Sequence, residues 1–157
     1  MTTPLFGRVA RNTSMVNITA LLTCPTPTKL PQTQEEIMSA FSGFSSLGAI
    51  PVERVAANLN RRMMSGKEGM VVWWDAKAGA HAGSHSHPNE QLVWVMKGQI
   101  DFRIGEEKRT MKQGDVAVIP SGTNHEAWFT HDSEVMDIFC PPREDFLKGG
   151  TPSYMKA

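Results

Sequence analysis

The chain has 157 residues and a mass of 17.3 kDa, one domain of ordinary size. With 40% hydrophobic and 20% charged residues it has the composition of a globular protein and not of a disordered one. Sixteen basic residues balance sixteen acidic ones, which excludes the basic excess of a general nucleic-acid binder and any broad positive field toward an acidic membrane. No apolar run approaches the roughly 18 residues of a membrane span. Two cysteines, Cys24 and Cys140, are too few for a disulfide framework. Both are expected as free thiols in a reducing, cytoplasmic setting.

The first 34 residues contain no Asp or Glu, eight threonines and only three basic residues, Arg8, Arg11 and Lys29. An acid-poor, hydroxyl-rich start fits a transit peptide, but three positive charges are few for one. The other reading is a mobile arm or an upstream start-site extension, with Met38 as an alternative start. Residues 1–45 are therefore read as an N-terminal extension. Within it Thr33, followed three residues later by Glu36 and then by Ile37, Met38 and Phe41, forms a capping-box pattern that predicts a short helix over 34–42.

From Ile50 the pattern becomes short apolar runs: 52–59, 70–74, 92–96, 100–104, 115–119, 127–130 and 135–139. Turn pairs separate them, among them Ala78-Gly79, Lys97-Gly98, Gly105-Glu106, Gln113-Gly114 and Ser121-Gly122. Regularly spaced strands with Gly turns predict an all-β sandwich or barrel over 46–150, followed by a tail at 151–157. No room is left for the crossover helices of a parallel α/β sheet. No phosphate-binding or dinucleotide glycine pattern occurs.

Of the five histidines, His81 and His131 read as ordinary core or surface residues. His85 and His87 differ, because residues i and i+2 of a strand point to one face and present two imidazoles side by side. Gln91 keeps the same parity, and Val93 and Val95 follow it inward while Trp94 and Met96 face out. Further on, Gly114-x5-Pro120-x-Gly122-x2-His125 reads as a strand, a tight corner and a histidine entering the next strand. His125 can then meet the first pair across a barrel. Three imidazoles and an amide oxygen suit Zn, Ni, Mn, Co or Fe(II), and the ligand types alone do not choose among them. With no carboxylate among the ligands the full 2+ charge stays uncompensated, which makes a strong Lewis acid and favours an anionic small molecule.

Gly79-x5-His85-x-His87-x3-Gln91-x6-Gly98 resembles the first cupin motif, and Gly114 to His125 resembles the second. The resemblance implies a double-stranded β-helix, an antiparallel jelly-roll barrel. Gln91 stands where the family usually has a ligand glutamate, and Phe129 where it often has an asparagine. The segment Asp137-x-Phe139-x3-Arg143-Glu-Asp-Phe-Leu resembles that of the single-domain cupins of pectin degradation, which also carry Gln in place of the glutamate and linearise unsaturated uronates. That likeness implies metal ligands at His85, His87, Gln91 and His125. It implies active-site roles for Asp137, Phe139 and Arg143. Asp is depleted in strands, so Asp137 between Met136 and Ile138 already asks for a reason.

Three readings follow from the site. One is a metal-dependent ring-opening isomerase or lyase for a small carboxylated sugar, with Asp137 moving a proton, Arg143 folding over the pocket mouth to pair with the carboxylate, and Phe139 shaping the wall. The second is an Fe(II) dioxygenase, less natural without a carboxylate ligand. The third is a non-enzymatic module that binds a small ligand. No other cofactor and no nucleic-acid or membrane partner is expected. Outward Trp94, Met96 and Trp128 form an apolar set too large for water, so a homodimer is expected.

Overall fold

The computed structural model describes residues 42–155. The extension up to residue 41, with Cys24 and all but the last residue of the helix expected over 34–42, lies outside that range. Ten strands follow a short 3-10 turn at Leu47–Ala49: β1 (Glu53–Ala56), β2 (Leu59–Ser65), β3 (Met70–Ala76), β4 (His81–His85), β5 (Glu90–Lys97), β6 (Gln99–Ile104), β7 (Glu107–Lys112), β8 (Val116–Ile119), β9 (His125–Trp128) and β10 (Ser133–Cys140). Helix α1 (Glu144–Leu147) and a 3-10 turn at Ser153–Met155 close the chain. Six strands form one antiparallel sheet in the order β1-β2-β3-β10-β5-β8, and four form the other in the order β4-β9-β6-β7. The order is that of a jelly roll, in which neighbours such as β3 and β10, β10 and β5, or β4 and β9 are distant in sequence. Among the described residues no helix is long and apolar enough to cross a membrane.

Period-2 alternation builds the core between the sheets. In β5, Gln91, Val93 and Val95 are buried and Leu92, Trp94 and Met96 exposed. In β10, Val135, Asp137 and Phe139 point inward, while Met136 and Ile138 face the other side. The inward residues pack with Val72, Trp74, Ile100, Phe102, Ile119 and Ala127. Gly98 makes the step from one sheet to the other. Its φ is +82°, and a Cβ there would come within 2.3 Å of the Asp132 carbonyl oxygen, so no side chain fits.

Beyond β4, which lies outside the apolar runs, the structure departs from them in three places. The run 52–59 is two strands, with a turn at Ala57-Asn58, and β2 continues through Arg61 and Arg62 to Ser65. Strand β7 has no apolar run, because it is an edge strand with only Met111 buried. Charge on such an edge blunts strand-to-strand aggregation. Trp128 does not join Trp94 and Met96: it lies on the four-stranded sheet, stacked on His81 and under the Lys108 ammonium. The apolar outer face belongs to the six-stranded sheet alone. Two rows cross it in register, Val118-Leu92-Ile138-Val71-Met64 and Val116-Trp94-Met136-Trp73, the second ending at Arg62.

Arg61 ties the barrel to the segment after it. Its side chain is buried, its fork donates to both Glu53 carboxylate oxygens at 2.9 and 3.0 Å, and Nη2 also donates to the Gly150 carbonyl at 3.3 Å. The guanidinium covers the Phe146 ring at 4.6 Å. Arg61→Ala leaves Glu53 without its partner and is expected to cost about 3 kcal/mol. A denaturation midpoint equal to that of the unaltered protein would show the pair to be idle.

Candidate metal centre and catalytic cavity

His85 ends β4, His125 opens β9, and the two are paired in register. His87 follows two residues after His85 and is tied across the barrel, because Gly122 N donates to its carbonyl at 2.8 Å. The three imidazoles converge, with ring centroids 4.2 Å (His85–His125), 4.9 Å (His87–His125) and 5.8 Å (His85–His87) apart. One ring nitrogen of each lies within 4.8 Å of the others.

Every one of the three has its Nδ1 against a backbone carbonyl two residues away. His85 meets Gly83 O at 2.7 Å, His87 meets Asn89 O at 3.0 Å and His125 meets Thr123 O at 2.8 Å. A carbonyl only accepts, so each Nδ1 carries the proton and each Nε2 keeps its lone pair for the centre. Burial, with the neighbouring imidazoles and Arg143 as lesser causes, pushes His85 down to about 3 and His87 down to about 4. Burial also lowers His125. All three are neutral at pH 7. The buried His125 Nε2 has no hydrogen-bond partner.

Gln91 Oε1 lies 3.1 Å from His87 Nε2. With the His87 proton on Nδ1, these are two lone pairs face to face. Reversing the amide would let its N–H donate to His87 Nε2 but would turn Oε1 toward the nearby Asp137 carboxylate, another acceptor. A cation resolves the contact, and the donor set of three imidazole lone pairs and an amide oxygen fits a divalent ion.

Asp137 shares a cavity with His85, Gln91 and His125. Trp74 Nε1 donates to its Oδ2 at 2.7 Å, and Oδ1 has no hydrogen-bond partner. The Gln91 amide lies near it without meeting hydrogen-bond geometry. Burial raises the Asp137 carboxyl to about 6, against the opposing pull of Trp74, Gln91 and Arg143. Phe139 is buried as a wall, edge-on to His87 and to Phe146.

Arg143 departs from expectation. It does not fold over the mouth from outside; only 3% exposed, it is built into the wall. Asn89 Nδ2 donates to the Pro141 and Pro142 carbonyls at 2.7 and 3.2 Å and fixes the corner before it. Arg143 Nε and Nη2 donate to the Asp145 carboxylate, and its guanidinium lies 4.2 Å from the Phe146 centroid. His85, Arg143 and Tyr154 line both the inner cavity, of about 40 Å³, and an outer cleft of about 870 Å³. The inner space is of water size, and the outer cleft is the part large enough for a small ring, whose atoms would approach the inner groups past His85, Arg143 and Tyr154.

Two residues of the site carried no motif. Trp74 reads as an ordinary apolar strand residue, and only its alternation with Val72 and Ala76 hints that it faces inward. Tyr154 stands in the segment expected as a tail. It stacks on His85 with ring centroids 3.5 Å apart and planes within 6°. Burial raises its phenol to about 12, so it stays protonated.

The comparisons agree with this architecture. Residues 72–140 match the family model of the cupin domain. The barrel has the cupin fold. Over 100 residues it is 28% identical to the pectin degradation protein KdgF of Dickeya dadantii, covering 62% of this chain and 91% of that one. The solved KdgF of a Halomonas species superposes with a TM-score of 0.64 at 28% identity, over 68% of this chain and 99% of that one. An RmlC-like cupin from Shewanella frigidimarina gives a TM-score of 0.65 at 26% identity, over 68% of this chain and 96% of that one. The chain thus resembles KdgF in sequence and in fold, and its histidine triad is placed to hold a metal ion.

Proposed function

We propose that this chain is a metal-dependent enzyme that opens the ring of a 4,5-unsaturated uronate or a similar carboxylated sugar. The observation that carries the reading is a triad of converging neutral imidazoles, two of which, His85 and His125, line one cavity with Gln91 and a buried carboxylate, with Arg143 in its wall. Its likeness to proteins named for pectin degradation supports the substrate class. His85, His87, Gln91 and His125 would hold the ion, which supplies positive charge that acidifies hydroxyls and stabilises developing oxyanions. Asp137 accepts the proton of the anomeric hydroxyl as C1=O forms and the C1–O5 bond breaks. The electron pair stays on O5 as an enolate, and Asp137 returns the proton to C4, leaving a C5 ketone. The product is an isomer of the substrate, so nothing is consumed.

The test is elemental analysis of the purified protein, followed by turnover of unsaturated galacturonate and mannuronate monomers. Bound divalent metal with loss of the substrate's ultraviolet enol-ether absorbance is the expected result. Metal without turnover on either sugar would remove the reading. Arg143→Ala is expected to raise KM for these substrates about tenfold or more with a smaller effect on kcat, because an ion pair made in ground and transition states alike is lost. Unchanged KM would exclude Arg143 as the carboxylate's partner.

The active unit is a homodimer in this reading, with a second copy seated on the outer face of the six-stranded sheet. Its two rows carry no charge until Arg62, so a two-fold axis sets row against row with no like charges opposed. Five strands at ~4.8 Å spacing make a face of the breadth that an interface of ~800 Å² per partner requires. Light scattering at micromolar concentration should give twice the chain mass, and Trp94→Lys should give one. A monomeric wild type would mean that the face has another cover.

A further inference from the structure

We infer that Tyr154 is a substrate-contacting residue, its hydroxyl donating a hydrogen bond to the ring oxygen of the bound sugar as that oxygen gains charge. Among the described residues, five buried side-chain polar atoms lack a hydrogen-bond partner: Arg61 Nη1, Arg62 Nε, His125 Nε2, Asp137 Oδ1 and Tyr154 Oη. Folded proteins rarely leave such groups unpaired without a reason. The last three belong to residues that line one cavity. The ion accounts for His125 and proton transfer for Asp137. Tyr154 is the member of the set that neither accounts for.

The hydroxyl is not free to turn toward water. The ring lies flat on His85. Its backbone runs over β4, where a Cβ on Gly83 would come 3.0 Å from the Tyr154 carbonyl oxygen. Thr151 Oγ1 donates to Val55 O at 3.1 Å on one side, and Met155 is buried on the other. The Arg143 guanidinium stands 5.7 Å from the ring centroid, near the hydroxyl but outside hydrogen-bond geometry.

The position selects the atom. Tyr154 belongs to the wall between the outer cleft and the inner cavity, so a ligand that reaches Asp137 from the cleft passes it. In a 4,5-unsaturated uronate, C5 bears both the carboxylate and the ring oxygen. With the carboxylate on Arg143, the neighbouring hydroxyl meets O5. Tyr154 keeps its proton and stabilises the enolate by hydrogen bonding, while the proton from O1 travels by Asp137 to C4. This assignment rests on the uronate reading above for the identity of the acceptor atom.

Tyr154→Phe keeps the stacked ring and removes the oxygen. Metal content should not change, and kcat on unsaturated galacturonate should fall about 10²-fold with KM much less affected. The metal-free variant should melt at or above the wild-type temperature, since the hydroxyl has no protein partner to lose. Turnover within twofold of wild type, or a melting temperature several degrees lower, overturns the assignment. If the wild type leaves every uronate unchanged, the substrate reading fails, and titration calorimetry with saturated galacturonate decides on Tyr154 separately. Binding weakened about fivefold in Tyr154→Phe supports the contact. Equal binding, or none by the wild type, overturns it.

Discussion

Asp137→Asn is expected to keep the metal and lower turnover by about 10²-fold or more, the usual consequence of removing a general base. The substitution preserves the shape of the side chain and an oxygen to accept from Trp74 Nε1, but it can no longer take the anomeric proton. A second effect has the opposite sign. The folded-state carboxyl of Asp137 titrates at about 6, against 3.8 ordinarily, because burial disfavours the charge. Between pH 3.8 and 6 the folded protein holds a proton that the unfolded chain has released. Stability of the metal-free protein therefore falls as pH rises through this window, by about 3 kcal/mol in all. Asp137→Asn has no charge to bury. Its melting temperature without metal should exceed that of wild type at pH 8, and the gain should vanish by pH 4. A variant that is less active and also less stable at pH 8 would show Asp137 to be a structural residue. A dication beside the carboxylate lowers its pKa, so the acid limb of the pH–rate profile should lie at or below about 6.

This pairing of lost activity with gained stability marks a site whose residues serve function at the expense of packing. The same logic decides what a sequence can disclose. His85, His87, Gln91 and His125 were legible from their spacing and the glycine corners rather than from strand parity, since a register shift falls between Ala82 and His85 and His87 lies in the link between β4 and β5; those constraints are local. The inward set of β5 and β10 was legible from strand parity, which is local too. Tyr154 was not, because its place depends on Arg61 holding the chain at Gly150, a contact across 89 residues that leaves no periodic trace. Strand β7 was missed because an edge strand facing water needs no apolar alternation. Trp128 faces outward as expected but on the other sheet, because parity tells inward from outward and not which sheet a strand joins. The burial of Arg143 follows from Asp145 and Phe146 two and three residues on, whose pairing with it only the turn into α1 creates.

His125→Ala should release the metal and with it all turnover. The proposed ligand set has no carboxylate, so each neutral ligand carries a large share of the binding, and this change removes the ligand whose lone pair has nothing else to meet. Metal content measured after gel filtration should fall to background. Wild-type content would exclude His125 as a ligand. The metal-free proteins should differ in a second way. His85 titrates at about 3 and His87 at about 4, below the ordinary 6.5. As pH falls below 6.5, the unfolded chain takes up protons that the folded site refuses. The histidines' contribution to stability is therefore complete above about 6.5 and is lost on the way down toward their folded values. Two such groups give a slope of about 2.7 kcal/mol per pH unit between pH 6 and 4.5. His125 is among the charges that depress both of the others, second to burial for His85 and third for His87. Its removal should raise both values toward 6.5 and make the acid limb shallower. Melting curves at pH 7.5, 6 and 5 would read this directly, and an acid limb steeper than that of wild type would show that the three imidazoles are not coupled through a common centre.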